Sequence, residues 1–279
     1  MSSLKEILKK YQAFPIKRLG QNFLIDKNVL RKIVKAAEIS KEDVILEIGP
    51  GIGNLTIELA KRAKKVIAVE KDKRMIEILK ENLKDFENVE IVEGDVREII
   101  CAIVKKMAKD YKVVANIPYY LTSHLVRKLL ELKKKPKLIV LMVQKEVAQR
   151  ICAKPPKMNL LAVSVQFYAK PQIISFVSKN CFWPRPKVDS AIIKISNIKE
   201  QKAMNNEKLF FKIVKAGFFH PRKQLINNLS KGLKKNKKIV EEWLLNCGIS
   251  PDKRAENLSI EKWEKLASSY MASVPKCNK

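Results

Sequence analysis

An α/β domain with an open, mostly parallel sheet, followed by a small all-helical region, is what this sequence predicts. Three observations carry that expectation. Short β-branched runs alternate with amphipathic stretches from Val44 onward, a glycine-rich turn follows the first run, and the texture turns polar and then helical after Ile195. Strands buried on both faces read as near-continuous apolar runs, and a βαβα order puts helices on both sides of the sheet.

The runs are Val44-Ile-Leu-Glu-Ile48, Val66-Ile-Ala-Val69, Val89-Glu-Ile-Val92, Val113-Val-Ala115 and Leu138-Ile-Val-Leu-Met-Val143. Each is bounded by turn or charged residues, as strands are. Between them, Arg74–Leu83 sets Met75, Ile78, Leu79 and Leu83 on one helical face. Asn159–Tyr168 and Val188–Ile195 are two further strand candidates, expected to finish the sheet as an antiparallel edge. Ser196–Asn206 is polar and charged and reads as a linker. Glu207–Gly217, Pro221–Gly232, Lys237–Cys247 and Ile260–Ala272 then read as short helices, punctuated by Gly248, Pro251 and Pro275. The expected division is an α/β domain over 1–198, with a basic N-terminal arm over 1–20, and a helical domain over 199–279.

Composition narrows the function classes. The 279 residues carry 57 Lys and Arg against 29 Asp and Glu, a formal net charge of +28, with 46% hydrophobic residues. That apolar content is too high for a disordered polycation. The basic excess is densest at the two ends of the chain and lowest in the middle, which favours contact with nucleic acid over a uniform lysine coat. No apolar run approaches the ~18–20 residues of a membrane span, and the first residues lack the apolar core of a signal peptide; a cytoplasmic protein is expected. The five cysteines (Cys101, Cys152, Cys181, Cys247, Cys277) show no CxxC spacing, and His124 and His220 are the only histidines. Neither a disulfide framework nor a zinc site is expected, and no metal.

Val44–Ile48 runs directly into Gly49-Pro-Gly51-Ile-Gly53, with a helix-like stretch from Asn54. Glycines there allow a tight turn and close approach of a ligand. Asn54 breaks the dinucleotide pattern GxGxxG, and the GxGxG form suits a nucleoside whose tail carries no pyrophosphate. Glu70 closes the second run, where a carboxylate can accept from ribose hydroxyls, and Gly94-Asp95 follows the third. Alone, such a glycine-rich turn is more often a tight connection, and an acidic residue closing a strand usually a solvated charge. In register at the ends of three successive strands, they point to S-adenosylmethionine more than to NAD.

The fourth run ends in Asn116-Ile117-Pro118-Tyr119. The lone pair of an exocyclic aromatic amine is delocalised into its ring. Acceptors aimed at the N–H groups localise it toward a methyl donor, and the Asn116 side-chain oxygen with the carbonyl of Ile117 or Pro118 can provide two. Pro118 stiffens the turn and Tyr119 can stack on a base. The plain alternative is an Asn-Pro turn with a core tyrosine.

These motifs resemble the ribosomal RNA adenine N6,N6-dimethyltransferases, over nearly the whole chain. Leu19-Gly-Gln-Asn-Phe-Leu24 is similar to that family's N-terminal signature, and Glu47-Ile-Gly-Pro-Gly51 to its glycine loop. Glu70, Gly94-Asp95 and Asn116-Ile-Pro-Tyr119 follow in the family's order, and Phe182-Trp-Pro-Arg-Pro-Lys-Val-Asp-Ser190 is similar to its second substrate loop. The resemblance implies a Rossmann-like class I S-adenosylmethionine-dependent methyltransferase sheet. It implies that Asn22, Leu24, Gly49, Gly51, Glu70, Asp95 and Asn116 line the cofactor site, and that Tyr119 and Phe182 flank the target adenine, with Asn116 and Pro118 beside them. On its residues alone, Phe182 is an aromatic on a proline-stiffened loop, suited to stacking or to buried packing.

Two branches of the family differ in target. One dimethylates two adjacent adenines in the 3′-terminal hairpin of 16S rRNA in the 30S precursor; the other modifies a 23S adenine and confers macrolide resistance. His220–Leu229 and Arg254–Ser259 are similar to the small-subunit branch, although Pro221-Arg222-Lys223 replaces its usual paired arginines before a lysine. Lys234–Lys238 is a phosphate contact or a solvated loop. The resemblance also implies a monomer. Rival readings are a ribosome-assembly factor without catalysis and a DNA adenine methyltransferase, whose Asn-Pro-Pro-Tyr chemistry is the same.

Overall fold

A computed structural model describes residues 6, 8, 11, 13–16, 20–107, 110–200 and 206–273. Leu19 and most of the expected basic arm over 1–20 lie outside the described residues. The chain divides into two compact units, Met1–Gln149 with Ala169–Ile198, and Arg150–Tyr168 with Lys199–Lys279.

In the first unit, β1 (Phe23–Leu24) and α1 (Lys27–Ala36) precede the expected alternation. It runs β2 (Val44–Ile48), α2 (Asn54–Ala60), β3 (Lys65–Glu70), α3 (Lys73–Asn82), β4 (Val89–Glu93), α4 (Val96–Lys106), β5 (Tyr111–Asn116), α5 (Thr122–Glu131) and β6 (Leu138–Gln144). After α6 (Lys145–Ile151) and α7 (Leu160–Gln166) come β7 (Lys170–Val177), β8 (Phe182–Trp183) and β9 (Ser190–Ser196). The main sheet has the order β4-β3-β2-β5-β6-β9-β7. The first five strands are parallel, and β9 runs antiparallel to both β6 and β7.

Ile45, Val66, Val114, Val140 and Ile192 bury one face of this sheet under Val29 and Ile33 of α1 and Leu55 and Leu59 of α2. Met75 and Ile78 of α3 belong to a second cluster with Ile52 and Phe23. Three helices begin on aspartates that accept backbone N–H groups of the first turn: Asp26 for α1, Asp72 for α3 and Asp95 for α4. Such caps satisfy donors that have no partner within the helix.

The strand expected over Asn159–Tyr168 is instead the helix α7. Asn159 Oδ1 accepts the Ala162 N–H at 3.1 Å, an N-cap that starts a helix in a run whose apolar residues alone do not distinguish helix from strand. The strand beside β9 is Lys170–Val177. Its alternation is masked by Lys170, Pro171 and Gln172, residues that an edge strand tolerates.

The second unit is helical: α7, α8 (Glu207–Gly217), α9 (Leu225–Leu233), α10 (Lys237–Asn246) and α11 (Ile260–Ser273). The helix expected from Pro221 begins only at Leu225, because Lys223 N–H donates to the His220 carbonyl in a turn. Phe167 stacks on Phe210 with ring centroids 4.0 Å apart, and Trp243 and Trp263 are fully buried. No helix among the described residues is long and apolar enough to cross a membrane.

Candidate active site

The order of the parallel strands reverses between β2 and β5, and the carboxyl ends there open on a cleft, as open α/β sheets do at such a point. The cleft has a volume of about 1080 Å³, part of it open to solvent. It is lined by Asn22, Leu24, Gly49, Gly51, Glu70, Asp95, Asn116, Pro118, Tyr119 and Phe182, every site residue that the sequence nominates.

The glycine loop after β2 is left-handed at Gly49, Gly51 and Gly53, with φ of 68°, 59° and 91°. A Cβ on Gly51 would lie 3.1 Å from the Phe23 ring, and one on Gly53 2.8 Å from Leu79 Cδ1. A side chain at either position is strained by its backbone conformation and would also have to push its neighbour aside.

Glu70, at the end of β3, is buried and accepts three backbone N–H groups: Lys71 and Asp72 on Oε1 at 2.8 and 2.9 Å, and Gly51 on Oε2 at 3.1 Å. Burial raises its carboxyl in spite of these bonds. Glu47 on β2 is 1% exposed, and its Oε2 has no partner among the described residues. Burial pushes the Glu47 carboxyl up to about 8, against the pull of the nearby Thr56 hydroxyl and with the Glu70 charge adding to the rise. Glu47 enters the sequence analysis only as the first residue of the glycine-loop motif and not among the expected site residues. The signal was a carboxylate inside an otherwise apolar run.

Asp95 is held the other way. Arg97 Nη2 donates to its Oδ2 at 2.5 Å and Lys71 Nζ at 2.8 Å, and the Arg97 guanidinium keeps the carboxyl well below its usual range. In a chain of net charge +28, the cleft floor is thus lined by three carboxylates. With Glu47 protonated at neutral pH and Asp95 paired to Arg97 and Lys71, such a floor offers acceptors for hydroxyl and amine donors rather than a field of free negative charge.

The N-terminal segment reaches the cleft through a pairing that no local pattern announces. β1 pairs with β8, setting Leu24 opposite Phe182. Gln21 Nε2 donates to Asp72 Oδ2 at 2.9 Å, and Asn54 Nδ2 to the Leu24 carbonyl at 2.9 Å. Gln21 and Asn54 therefore hold the strand segment that carries Asn22. Phe182 is buried, packed in the cluster with Leu24 and Val29, and also lines the cleft.

Beside that segment, Asn116 ends β5 half-buried, and its Nδ2 donates to the Asn22 carbonyl at 3.3 Å. The Pro118 carbonyl accepts the Leu121 N–H at 3.0 Å, closing a 3₁₀ turn over Tyr119–Leu121. The Tyr119 hydroxyl shares a 2.8 Å hydrogen bond with Ser190 Oγ. His124 is exposed on α5, away from any such role.

A family model described as ribosomal RNA adenine dimethylase matches residues 16–272. This chain belongs to the ribosomal RNA adenine dimethylase family. Its dimethylase relatives include a ribosomal RNA small subunit methyltransferase A of Dehalococcoides mccartyi (strain CBDB1), 44% identical over 272 residues, covering 97% of this chain and 93% of the relative. A protein of the same name from Clostridium botulinum (strain Loch Maree / Type A3) is 45% identical over 266 residues, covering 94% and 96%. Among solved structures, a dimethyladenosine transferase from Plasmodium falciparum superposes with a TM-score of 0.76 at 30% identity, covering 90% of this chain and 98% of that one. The 23S rRNA methyltransferase ErmE gives 0.72 at 27%, covering 88% and 98%. The dimethylase sheet and its helical companion are thus those of a methyltransferase, as the motifs implied.

Proposed function

We propose that this chain transfers methyl groups from S-adenosylmethionine to N6 of adenine in small-subunit ribosomal RNA. The observation that carries the reading is the shared cleft: Asn116-Ile-Pro-Tyr119 lines the same cleft as the glycine loop and the carboxyl groups of Glu47, Glu70 and Asp95. The residues present fit that cofactor. Glu47, whose buried Oε2 makes no hydrogen bond of good geometry among the described residues, lines the cleft, and Gly49 and Gly51 line it without side chains. Glu70 would accept from the ribose hydroxyls, Asp95 from the adenine amine, and Asn22, Leu24, Gly49 and Asn116 would complete the lining. When bound, the cofactor supplies a methyl carbon activated by an adjacent sulfonium.

The protein's own task is orientation. Asn116 Oδ1 and one backbone carbonyl accept the two N–H groups of the target amine, which turns the nitrogen lone pair out of the ring toward the methyl carbon. The Pro118 carbonyl already accepts the Leu121 N–H, which favours the Ile117 carbonyl as the second acceptor. Tyr119 stacks on one face of the base, with Phe182 on the other. No strong base is needed, because the arylammonium product is acidic and releases its proton to water. The target base must leave its stack, at a cost of a few kcal/mol offset by RNA binding elsewhere. The basic ends of the chain and the helical unit supply that grip.

The names of relatives at 44% and 45% identity favour the small subunit over the large. In this reading a cytoplasmic monomer dimethylates two adjacent adenines of the 3′-terminal hairpin of 16S rRNA in the 30S precursor. The test is incubation with methyl-labelled cofactor and undermethylated subunits of each size, followed by mapping of N6,N6-dimethyladenine. Label in small-subunit RNA is expected. Label confined to large-subunit RNA would transfer the chain to the resistance branch, and no label would favour an assembly factor without catalysis.

A further inference from the structure

Tyr119 Oη and Ser190 Oγ lie 2.8 Å apart. Ser190 is fully buried and is the first residue of β9, opposite Gln144 of β6 on one side and Val177 of β7 on the other. Held between two ladders, its hydroxyl does not follow the motions of the loops. The preceding residue, Asp189, accepts the Lys145 N–H through its carbonyl and the Lys179 N–H through Oδ1, both at 3.0 Å. Lys179 opens the 3₁₀ turn that leads directly into Phe182. One end of β9 therefore anchors both the Tyr119 phenol and the segment that carries Phe182.

Tyr119 itself stands on a 3₁₀ turn, half-buried, where its ring can turn about two side-chain torsions. A directional bond at the far end of the ring removes most of that freedom. We propose that Ser190 is a positioning residue for methyl transfer: through the Tyr119 hydroxyl it sets the tilt of the ring on which the target adenine stacks, and so the direction of the N6 lone pair. Nothing in the Asn-Ile-Pro-Tyr turn does this, because Asn116 and Ile117 hold only the amine edge of the base. A misplacement of ~1 Å at the reacting atoms costs on the order of 100-fold in rate. Burial raises the Tyr119 phenol, so it remains a protonated partner at neutral pH. The inference rests on the adenine-methylating reading of this cleft.

The test compares Ser190→Ala, Tyr119→Phe and the double variant for kcat and KM on undermethylated small subunits, with cofactor affinity measured alongside. Each single change should lower kcat roughly tenfold or more, while KM and cofactor affinity stay near those of the wild type. The double variant should be no slower than either single one, because one bond is lost in all three. A wild-type kcat in Ser190→Ala, losses that multiply in the double variant, or a loss expressed mainly in KM would each overturn the role. If Ser190→Ala does not fold, Tyr119→Phe decides alone: it keeps the ring and lacks the hydroxyl, and an unchanged kcat would refute the inference. A wild-type protein inactive on ribosomal RNA would overturn both this role and the reading beneath it, whereas an active wild type with an equally active Ser190→Ala would overturn only the role.

Discussion

Asn116 donates its side-chain Nδ2 to the main-chain carbonyl of Asn22, at 3.3 Å. An amide can present its oxygen or its nitrogen to a given side, and this bond turns nitrogen toward the N-terminal segment. Oδ1 is thereby left as an acceptor on the other side. Asn22 is in turn steadied by Gln21, which bonds Asp72, and by Leu24, whose carbonyl accepts from Asn54. Under the proposed function, the N-terminal signature then orients the residue that would receive the amine, as well as lining the cleft. Gln21→Ala should slow methyl transfer severalfold while leaving the fold in place, read as single-turnover rate and thermal midpoint.

Glu47 carries a pH dependence with a defined sign. Its carboxyl titrates near 8 in the fold against an ordinary value of 4.5. Between those values the unfolded chain has lost a proton that the folded chain still holds, so stability falls as pH rises through this window and levels off above it. Glu47→Gln removes that dependence. The thermal midpoint of the variant relative to wild type should be higher at pH 8 than at pH 5. Cofactor binding at pH 7 should release a proton in the wild type and none in the variant, measured by calorimetry in buffers of different ionisation heat.

Gly51→Ala combines a φ of 59° with a 3.1 Å approach to Phe23. Holding alanine in the left-handed region costs roughly 1–2 kcal/mol, and the displaced Phe23 ring lies at the cleft wall. Denaturant unfolding should report a stability loss of about that size. Cofactor affinity should fall more than tenfold, since the Gly51 N–H also holds Glu70.

Salt separates grip from chemistry. With a net charge of +28, affinity for ribosomal subunits should drop steeply with ionic strength, as log–log plots of binding against salt will show. The single-turnover rate in the preformed complex should change little, because the reacting groups are enclosed in the cleft.

The parallel half of the sheet was legible because buried strands leave continuous β-branched runs, and Glu70, Asp95 and Asn116 were legible because they end such runs or, for Asp95, closely follow one. Leu160–Gln166 misled because the same residue types fill a buried helix, with only Asn159 to mark its start. β7 was missed because an edge strand admits Lys, Pro and Gln. Ser190 gave no local sign of its partner, and Glu47 only the oddity of a carboxylate inside an apolar run. One meets Tyr119 only when β9 joins β6, and the other is isolated only when β2 is covered on both faces.

The most direct measurement is the single-turnover methyl-transfer rate of Asn116→Ala on undermethylated small subunits at saturating cofactor. Loss of one of the two amine acceptors should slow the reaction on the order of 100-fold or more, with RNA affinity nearly unchanged. A rate within a few-fold of wild type, or an equal loss of rate and RNA affinity, would contradict the assignment of Asn116 Oδ1 as the group that holds the target amine.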